Sequence, residues 1–212
     1  MHPFFSEILP AEPGIYIVDG SVRDLLLGRN PMDCDIVVEG DPMILARKLA
    51  IKTSGHVVQL GAQGKRITRV TSGSAVFEIA PVAGQTIEDD LLRRDFTINA
   101  MAYETASNQI IDPTEGRKDL VEKTVRMVSE HAFMEDPVRL IRTFRIAAVL
   151  NFKIDSQTLN AVKFYAKRMI ASPGERIRPE LLKILETANA YPYLLQMADT
   201  GLLQTIFPEM EP

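Results

Sequence analysis

Apolar positions come in short runs along the first half of the chain and at helical spacing along the second. Ile15 to Val18 is an apolar run broken by Asp19-Gly20-Ser21, and Val22 to Leu27 continues in helix formers as far as Gly28. This predicts a strand, a turn and a helix. Asp33-Cys34-Asp35 alternates carboxylates with a small residue and runs into Ile36-Val37-Val38, which favours a second strand with the acids at its entry. Asp41 to Ser54 reads as a helix with Asp41 as N-cap, Pro42 at the first helical position and Gly55 as its end. His56 to Leu60, Lys65 to Val70 and Ser74 to Ile79 read as three short strands joined by glycine-containing turns, so the sheet is expected to be mixed. Ile87 to Met101 places acidic before basic residues, as a helix dipole prefers, although Phe96-Thr97-Ile98 is a weak helix former. Gln109 to Pro113 is expected to be a short strand and turn.

From Asp119 onward strand signals almost vanish, and a boundary is expected near residue 128. Phe133 to Val149, Asp155 to Ile170 and Pro179 to Ala190 carry apolar residues at three- and four-residue spacing. Ser172-Pro173-Gly174 and Tyr191-Pro192 mark the breaks, and Tyr193 to Leu203 adds one more helix. The pattern thus predicts an α/β (α+β) head with a mixed sheet over residues 1–128, followed by an all-helical neck over 129–212.

Composition narrows the class. With 46% hydrophobic and 25% charged residues, the 212-residue chain has the make-up of a folded globular protein. No apolar stretch approaches the roughly 18 residues of a membrane span, and a secretory signal pattern is absent, so a cytoplasmic protein without membrane contact is expected. The single cysteine, Cys34, can neither close an internal disulfide nor build a zinc site alone. A net charge of −4 argues against nonspecific coating of nucleic acid, although Arg93-Arg94 and the series Arg139, Arg142, Arg145 form local basic clusters.

Asp33 and Asp35 are two apart, so on a strand both project from one face and can grip a hard cation; solvated turn acids would give the same spacing. The turn at Gly20-Ser21, ahead of a helix containing Arg23, offers backbone N–H groups to a phosphate, or is an ordinary strand-to-helix turn. Arg139, Arg142 and Arg145 recur every three residues and would form a stripe on a helix. Asp136 with Arg139 can present an acceptor and a donor to a base edge, or belong to a salt-bridged solvated face. Arg93, Arg94 and Asp95, with Asn99, lie in an apolar segment and need partners or a ligand such as a ribose or phosphate. Glu78, inside an apolar run, is either a third metal-facing acid or a strand residue turned to water. His2, His56 and His131 show no spacing that suggests a metal site.

In their order along the chain these motifs resemble the class II tRNA nucleotidyltransferase and bacterial poly(A) polymerase family. Gly20-Ser21-Val22-Arg23-Asp24 is similar to its G-G-x-V-R-D motif, Asp33-Cys34-Asp35 to its metal-binding D-x-D, and Arg93-Arg94-Asp95-Phe96-Thr97-Ile98-Asn99-Ala100-Met101-Ala102 to its ribose-handling segment. Asp112-Pro113 with Gly116, Asp119 and Leu120 resembles the hinge motif, Glu135-Asp136-Pro137-Val138-Arg139 the E-D-x-x-R nucleotide selector, and Glu175-Arg176-Ile177 with Glu180 the neck motif.

The resemblance implies attack of a tRNA 3′-hydroxyl on the α-phosphate of CTP or ATP, with magnesium ions held by Asp33 and Asp35. Asp136 and Arg139 would read the base. Arg142 and Arg145 would meet the triphosphate, and Arg94, Asp95 and Asn99 the sugar or phosphate. CCA addition, addition of C or A alone, and poly(A) synthesis share this head. From a different class, a non-catalytic nucleotide- or RNA-binding module would keep the fold.

Three departures stand out: Asp19 replaces the first glycine of the G-G pair, Glu78 replaces an aspartate, and the Glu78–Asp90 connection is short. The family's body and tail domains have no counterpart before Pro212, and a chain trimmed ahead of them is expected.

Overall fold

The computed structural model describes residues 8–29, 31, 33–60 and 67–210; His2 and the Lys65-Arg66 start of the fourth expected strand lie outside these. The described residues divide into two compact units: residues up to Leu92 with Ile98–Thr114, and Arg93–Thr97 with residues from Glu115 onward.

The first unit is built on a sheet whose order among the described residues is β3-β4-β5-β2-β1-β6-β7. Its strands are β1 (Ile15–Val18), β2 (Asp33–Val38), β3 (His56–Leu60), β4 (Ile67–Ser72), β5 (Ala75–Pro81), β6 (Ala102–Glu104) and β7 (Ile110–Ile111). β2 and β5 run parallel while the other neighbours are antiparallel, so the sheet is mixed as expected. All four residues of β1 are buried, which explains their continuous apolar run. Helix α2 (Pro42–Thr53) covers the sheet through Leu45, Ala46 and Leu49, packed with Ile17, Ile36, Val70, Phe77 and Ile79. Asp41 caps it, accepting from the Met43 N–H at 2.9 Å. At Gly55 a Cβ would stand 2.7 Å from the Thr71 carbonyl oxygen, so no side chain fits where the chain turns into β3.

Two expectations for this unit change. No separate turn follows β1: helix α1 (Asp19–Leu26) begins at once, with Asp19 itself at a left-handed φ of 57°. Gly20 and Ser21 therefore sit in the first helical turn. The long helix over 87–101 is also broken. Helix α3 (Ile87–Leu92) stops, and Phe96 pairs with Met127 in an antiparallel bridge before a short 3-10 turn at Thr97–Asn99. Backbone pairing with residues 126–128 overrides the dipole pattern, because Thr97 N–H reaches the Arg126 carbonyl at 2.9 Å and Val128 N–H the Asp95 carbonyl at 3.1 Å.

The second unit is helical apart from one small ladder, β8 (Thr124–Val125) parallel to β9 (Lys153–Ile154), which corrects the all-helical expectation. Because β8 and β9 straddle residue 128, residues 115–128 fold with the helices. Helix α4 (Gly116–Val121) is followed by α5 (His131–Glu135) and α6 (Val138–Leu150), not one helix over 133–149. Asp136 precedes Pro137, which disfavours helical geometry, and sits extended at φ −141°, ψ 99°. Next come α7 (Ser156–Tyr165), capped by Asp155, and a 3-10 segment, Ala166–Ala171. Helix α8 (Gly174–Leu185) starts before Pro179 and contains it. Helices α9 (Tyr191–Asp199) and α10 (Leu202–Ile206) split the last expected helix at Gly201, whose φ is 74°. The centre of the unit is α6, with Leu140, Ile141, Phe144 and Ala147 fully buried against α8 and α9.

Candidate functional site

Strand alternation decides the geometry of Asp33-Cys34-Asp35. Cys34 is buried at 1% exposure, whereas Asp33 is exposed and Asp35 half-buried, so both carboxylates leave the opposite face of β2. Burial, reinforced by the Asp35 charge, pushes the Cys34 thiol well above its ordinary value.

The backbone of this pair is held by α1. β1 pairs with β2 only at residues 36–38, since the chain leaves β1 at Val18. Ser21 takes over where β1 stops: its hydroxyl accepts from the Asp35 N–H at 3.0 Å and donates to the Asp33 carbonyl at 3.3 Å. Ser21 is buried, so its hydroxyl is committed to β2 and the α1 start can offer a phosphate only backbone groups. Arg23 donates to Asn99 Oδ1 at 2.8 Å and forks onto both carboxylate oxygens of Asp24 at 3.0 and 2.9 Å. The structure thus gathers Gly20, Ser21, Arg23, Asp33, Asp35 and Asn99 in the first unit.

Glu78 stands level with Asp35 on the neighbouring parallel strand. Its carboxylate accepts from both Nε and Nη2 of Arg69, directly across the β4–β5 pair. Glu78 is thus held by a guanidinium at the position level with Asp35. Among the described residues no three His, Cys, Asp or Glu side chains are grouped to hold a metal by themselves. Two same-face carboxylates nevertheless suit magnesium, which is commonly bound by one or two carboxylates with substrate phosphates and water completing its shell.

Arg93, Arg94 and Asp95 belong to the second unit and Asn99 to the first. Asp95 is 4% exposed, and its Oδ2 takes Arg142 through Nη2 at 2.7 Å and Nε at 2.9 Å. Arg94 is half-buried. Arg145 donates from Nε to Glu180 Oε2 at 2.7 Å, and Glu180 Oε1 lies 3.9 Å from Arg142. The two arginines expected at a triphosphate are therefore each held by a carboxylate.

Asp136 and Arg139 face different partners. Asp136 accepts from the Val138 N–H at 3.2 Å through Oδ1 and from Arg176 Nη2 at 2.6 Å through Oδ2. Burial alone would raise its pKa, yet the Arg176 hydrogen bond and charge, with Val138 N–H and Arg139, outweigh it and hold the carboxyl below its ordinary range. Arg139 Nη1 donates to the Arg93 and Ala132 carbonyls, both at 3.2 Å, and lies 3.5 Å from Glu135. Glu135 also takes Arg93 at 3.0 Å; that bond, against some burial, lowers its pKa.

Sequence reasoning left Arg176, Glu180, Glu135, Arg69 and Arg126 out of the site. Arg126 joins Asp119 at 3.0 Å and Asp155 at 2.7 Å, and buried Asp119 also accepts from Thr97 at 2.7 Å. Glu135, Arg176 and Glu180 carried a signal as members of the selector and neck motifs but were given no role of their own, whereas nothing in the sequence pointed to Arg69 or Arg126. A cavity of about 990 Å³ bordered by Met169, Ile170, Thr200, Gln204 and Ile206 contains none of the candidate side chains.

The chain matches two family models, the poly A polymerase head domain over residues 15–126 and the probable RNA and SrmB-binding site of polymerase A over residues 151–212. It is 39% identical to a CC-adding tRNA nucleotidyltransferase of Geobacter sulfurreducens, covering 92% of this chain and 45% of that protein. It is 35% identical to an A-adding tRNA nucleotidyltransferase of Deinococcus radiodurans, covering 95% of this chain and 46% of that one. A Thermotoga maritima CCA-adding enzyme solved in complex with tRNA superposes with a TM-score of 0.84 at 34% identity, over 92% of this chain and 48% of that one. The chain thus spans about half the length of the curated relatives it matches. None of its helices is long and apolar enough to cross a membrane among the described residues.

Proposed function

This chain belongs to the poly A polymerase head-domain family, and we propose that it transfers C, A or both from CTP and ATP to the 3′ end of tRNA without a template. The observation that carries the reading is the pair Asp33 and Asp35, set on one face of β2 by the burial of Cys34, inside the span matched by the head-domain model. We assign the catalytic head to residues 1–128 and the nucleotide-selecting neck to 129–212; the family match ending at residue 126 supports that boundary in sequence, while residues 93–97 and 115–128 fold with the helical unit.

The RNA 3′-hydroxyl attacks the α-phosphorus, the bond to the bridging oxygen breaks, and pyrophosphate leaves. Asp33 and Asp35 would hold magnesium, and Glu78, level with Asp35 on the neighbouring strand and now held by Arg69, is the candidate third acid. Bound there, magnesium supplies a lowered pKa for the attacking hydroxyl and charge neutralisation on the triphosphate. Gly20 and Ser21 offer backbone N–H groups to phosphate oxygens. Arg23 and Asn99, tied to each other, and Arg94 and Asp95 hold sugar or phosphate. Asp136 accepts from the base and Arg139 donates to it, while Arg142 and Arg145 add positive charge toward the triphosphate. The setting of this chemistry is the cytoplasm, and the partners are tRNA, CTP and ATP.

A poly(A) polymerase is the second reading, favoured by the name of the matching head-domain family. A non-catalytic binding module is the third, motivated by Asp19. The test is incorporation of each labelled nucleoside triphosphate onto tRNA transcripts ending before CCA, after C or after CC, with Asp33→Ala/Asp35→Ala as control. Ordered addition that stops marks a CCA or partial-CCA enzyme, and unlimited A marks a poly(A) polymerase. If no transcript is extended with magnesium or manganese, transfer is refuted and the binding module stands.

A further inference from the structure

Helix α8 presents two opposite charges one turn apart, Arg176 and Glu180, and they hold Asp136 of the selector motif and Arg145 of α6 respectively. Glu180 takes Arg145 at 2.7 Å, and Arg176 reaches Asp136 at 2.6 Å. Asp136 itself stands outside helical geometry, between α5 and α6, where Pro137 forces the chain to extend. Its side chain is therefore not fixed by a regular helix. Of the fixing bonds described above, the Val138 N–H holds Oδ1 and Arg176 holds Oδ2.

An ionised carboxylate only accepts hydrogen bonds, and each of its oxygens has two lone-pair directions. With one direction on each oxygen occupied, the remaining pair of directions is set. Cytosine and adenine offer an exocyclic amino donor, whereas guanine and uracil carry a carbonyl oxygen in the corresponding place. A carboxylate held in one orientation and kept charged would accept from the first two and repel the others. We propose that Arg176 is a specificity-determining positioning residue, holding the Asp136 carboxylate in the orientation that admits amino-bearing bases and rejects carbonyl-bearing ones. This rests on the reading of Asp136 as a base-contacting group.

A purely structural role is a distinct possibility with a distinct signature. Arg176 is 54% exposed, and an ion pair that open to water adds little to folding stability. Its removal should leave the melting temperature almost unchanged while altering base choice.

The experiment measures kcat and KM for CTP, ATP, UTP and GTP on tRNA transcripts lacking part of CCA, using wild type, Arg176→Ala, Arg176→Lys, Asp136→Ala and the Arg176→Ala/Asp136→Ala double variant. Arg176→Ala is expected to lower discrimination against UTP and GTP by about tenfold, mainly through KM, with Arg176→Lys recovering part of it. The double variant should discriminate no worse than Asp136→Ala, because Arg176 acts through Asp136. If Asp136→Ala relaxes base choice but Arg176→Ala does not, the role of Arg176 is overturned and the base-reading role of Asp136 survives. If Asp136→Ala leaves base choice intact, the base-reading assignment itself fails and the inference falls with it. A loss of melting temperature in Arg176→Ala equal to that of an unfolding variant, with unchanged discrimination in the active fraction, also overturns it.

Discussion

Replacing Ser21 by alanine tests whether its hydroxyl substitutes for the missing end of β1. The substitution removes one oxygen and leaves the Asp35 N–H and the Asp33 carbonyl without the partner they now have on that side of β2. The 3.0 Å bond from Asp35 N carries most of the effect, and the 3.3 Å contact to Asp33 is weaker. A buried amide that loses its acceptor costs roughly 1–3 kcal/mol, and water near exposed Asp33 recovers part of the second group. The expected loss is about 2 kcal/mol, which for a chain of this size is a fall of roughly 4–8 °C in Tm. Circular dichroism melts of Ser21→Ala and of Ser74→Ala, an exposed turn residue, provide the comparison. Ser74→Ala should stay within about 0.5 kcal/mol of wild type. Ser21→Ala should also weaken magnesium-dependent transfer, since the backbone that aims Asp33 and Asp35 is loosened. A Ser21→Ala protein that melts within 0.5 kcal/mol of wild type would refute the argument that the hydroxyl completes the ladder.

Cys34 should resist a disulfide reagent such as DTNB at pH 8 in the native protein and react only on unfolding, because burial and the Asp35 charge both oppose the thiolate; rapid native labelling contradicts this. Glu135 and Asp136 have native pKa values below their ordinary 4.5 and 3.8, so the unfolded chain binds protons more readily and stability rises with pH through this window. Their contribution is complete above about pH 5 and is lost as pH falls through the native values. Arg93→Ala and Arg176→Ala should flatten that acid limb only slightly in urea titrations at pH 3 to 6, by the roughly 0–1 kcal/mol of exposed pairs, and a steeper limb in either variant would count against its ion pair. Asp19→Gly should tighten CTP binding by about threefold to tenfold at low salt, the size expected for removing one like charge near a phosphate. Equal dissociation constants from equilibrium dialysis would show that Asp19 lies too far away to matter.

The elements that could be read in advance are those whose cause is local. β1 is a run of four buried apolar residues, β2 alternates, and α2 carries its own N-cap and proline, so each was legible within a few residues. The mistakes share a different cause. Residues 95–97 leave a helical pattern because they find a backbone partner about thirty residues later, at Arg126 to Val128. Nothing in the segment records that partner. The apolar periodicity read from Pro179 missed the start of α8, which begins at Gly174 and holds Pro179, with its missing N–H, within its second turn. The α5–α6 break, in contrast, was written in the sequence as the residue before Pro137.

The candidate site divides along the same line. Residue types and spacing made Asp33 with Asp35 and Asp136 with Arg139 candidates while leaving solvated alternatives open, and only the order of the motifs, through its resemblance to the nucleotidyltransferase family, chose between them. What spacing could not supply is the partner of each charge. Arg142 and Arg145 read as a bare basic stripe, yet Asp95 lies forty-seven positions from Arg142 in sequence and Glu180 thirty-five from Arg145. Holding those guanidinium groups with carboxylates lowers the net positive charge that α6 can offer a triphosphate, so their effect on it depends on geometry as well as on count. A ligand must then either share Arg142 and Arg145 with Asp95 and Glu180 or displace those acids. In the first case the acids fix where each guanidinium points and can sharpen recognition. In the second, nucleotide affinity would rise when Glu180 is neutralised. The sign of the Glu180→Gln effect on the dissociation constant for CTP therefore distinguishes an arginine that is aimed by its carboxylate from one that is masked by it.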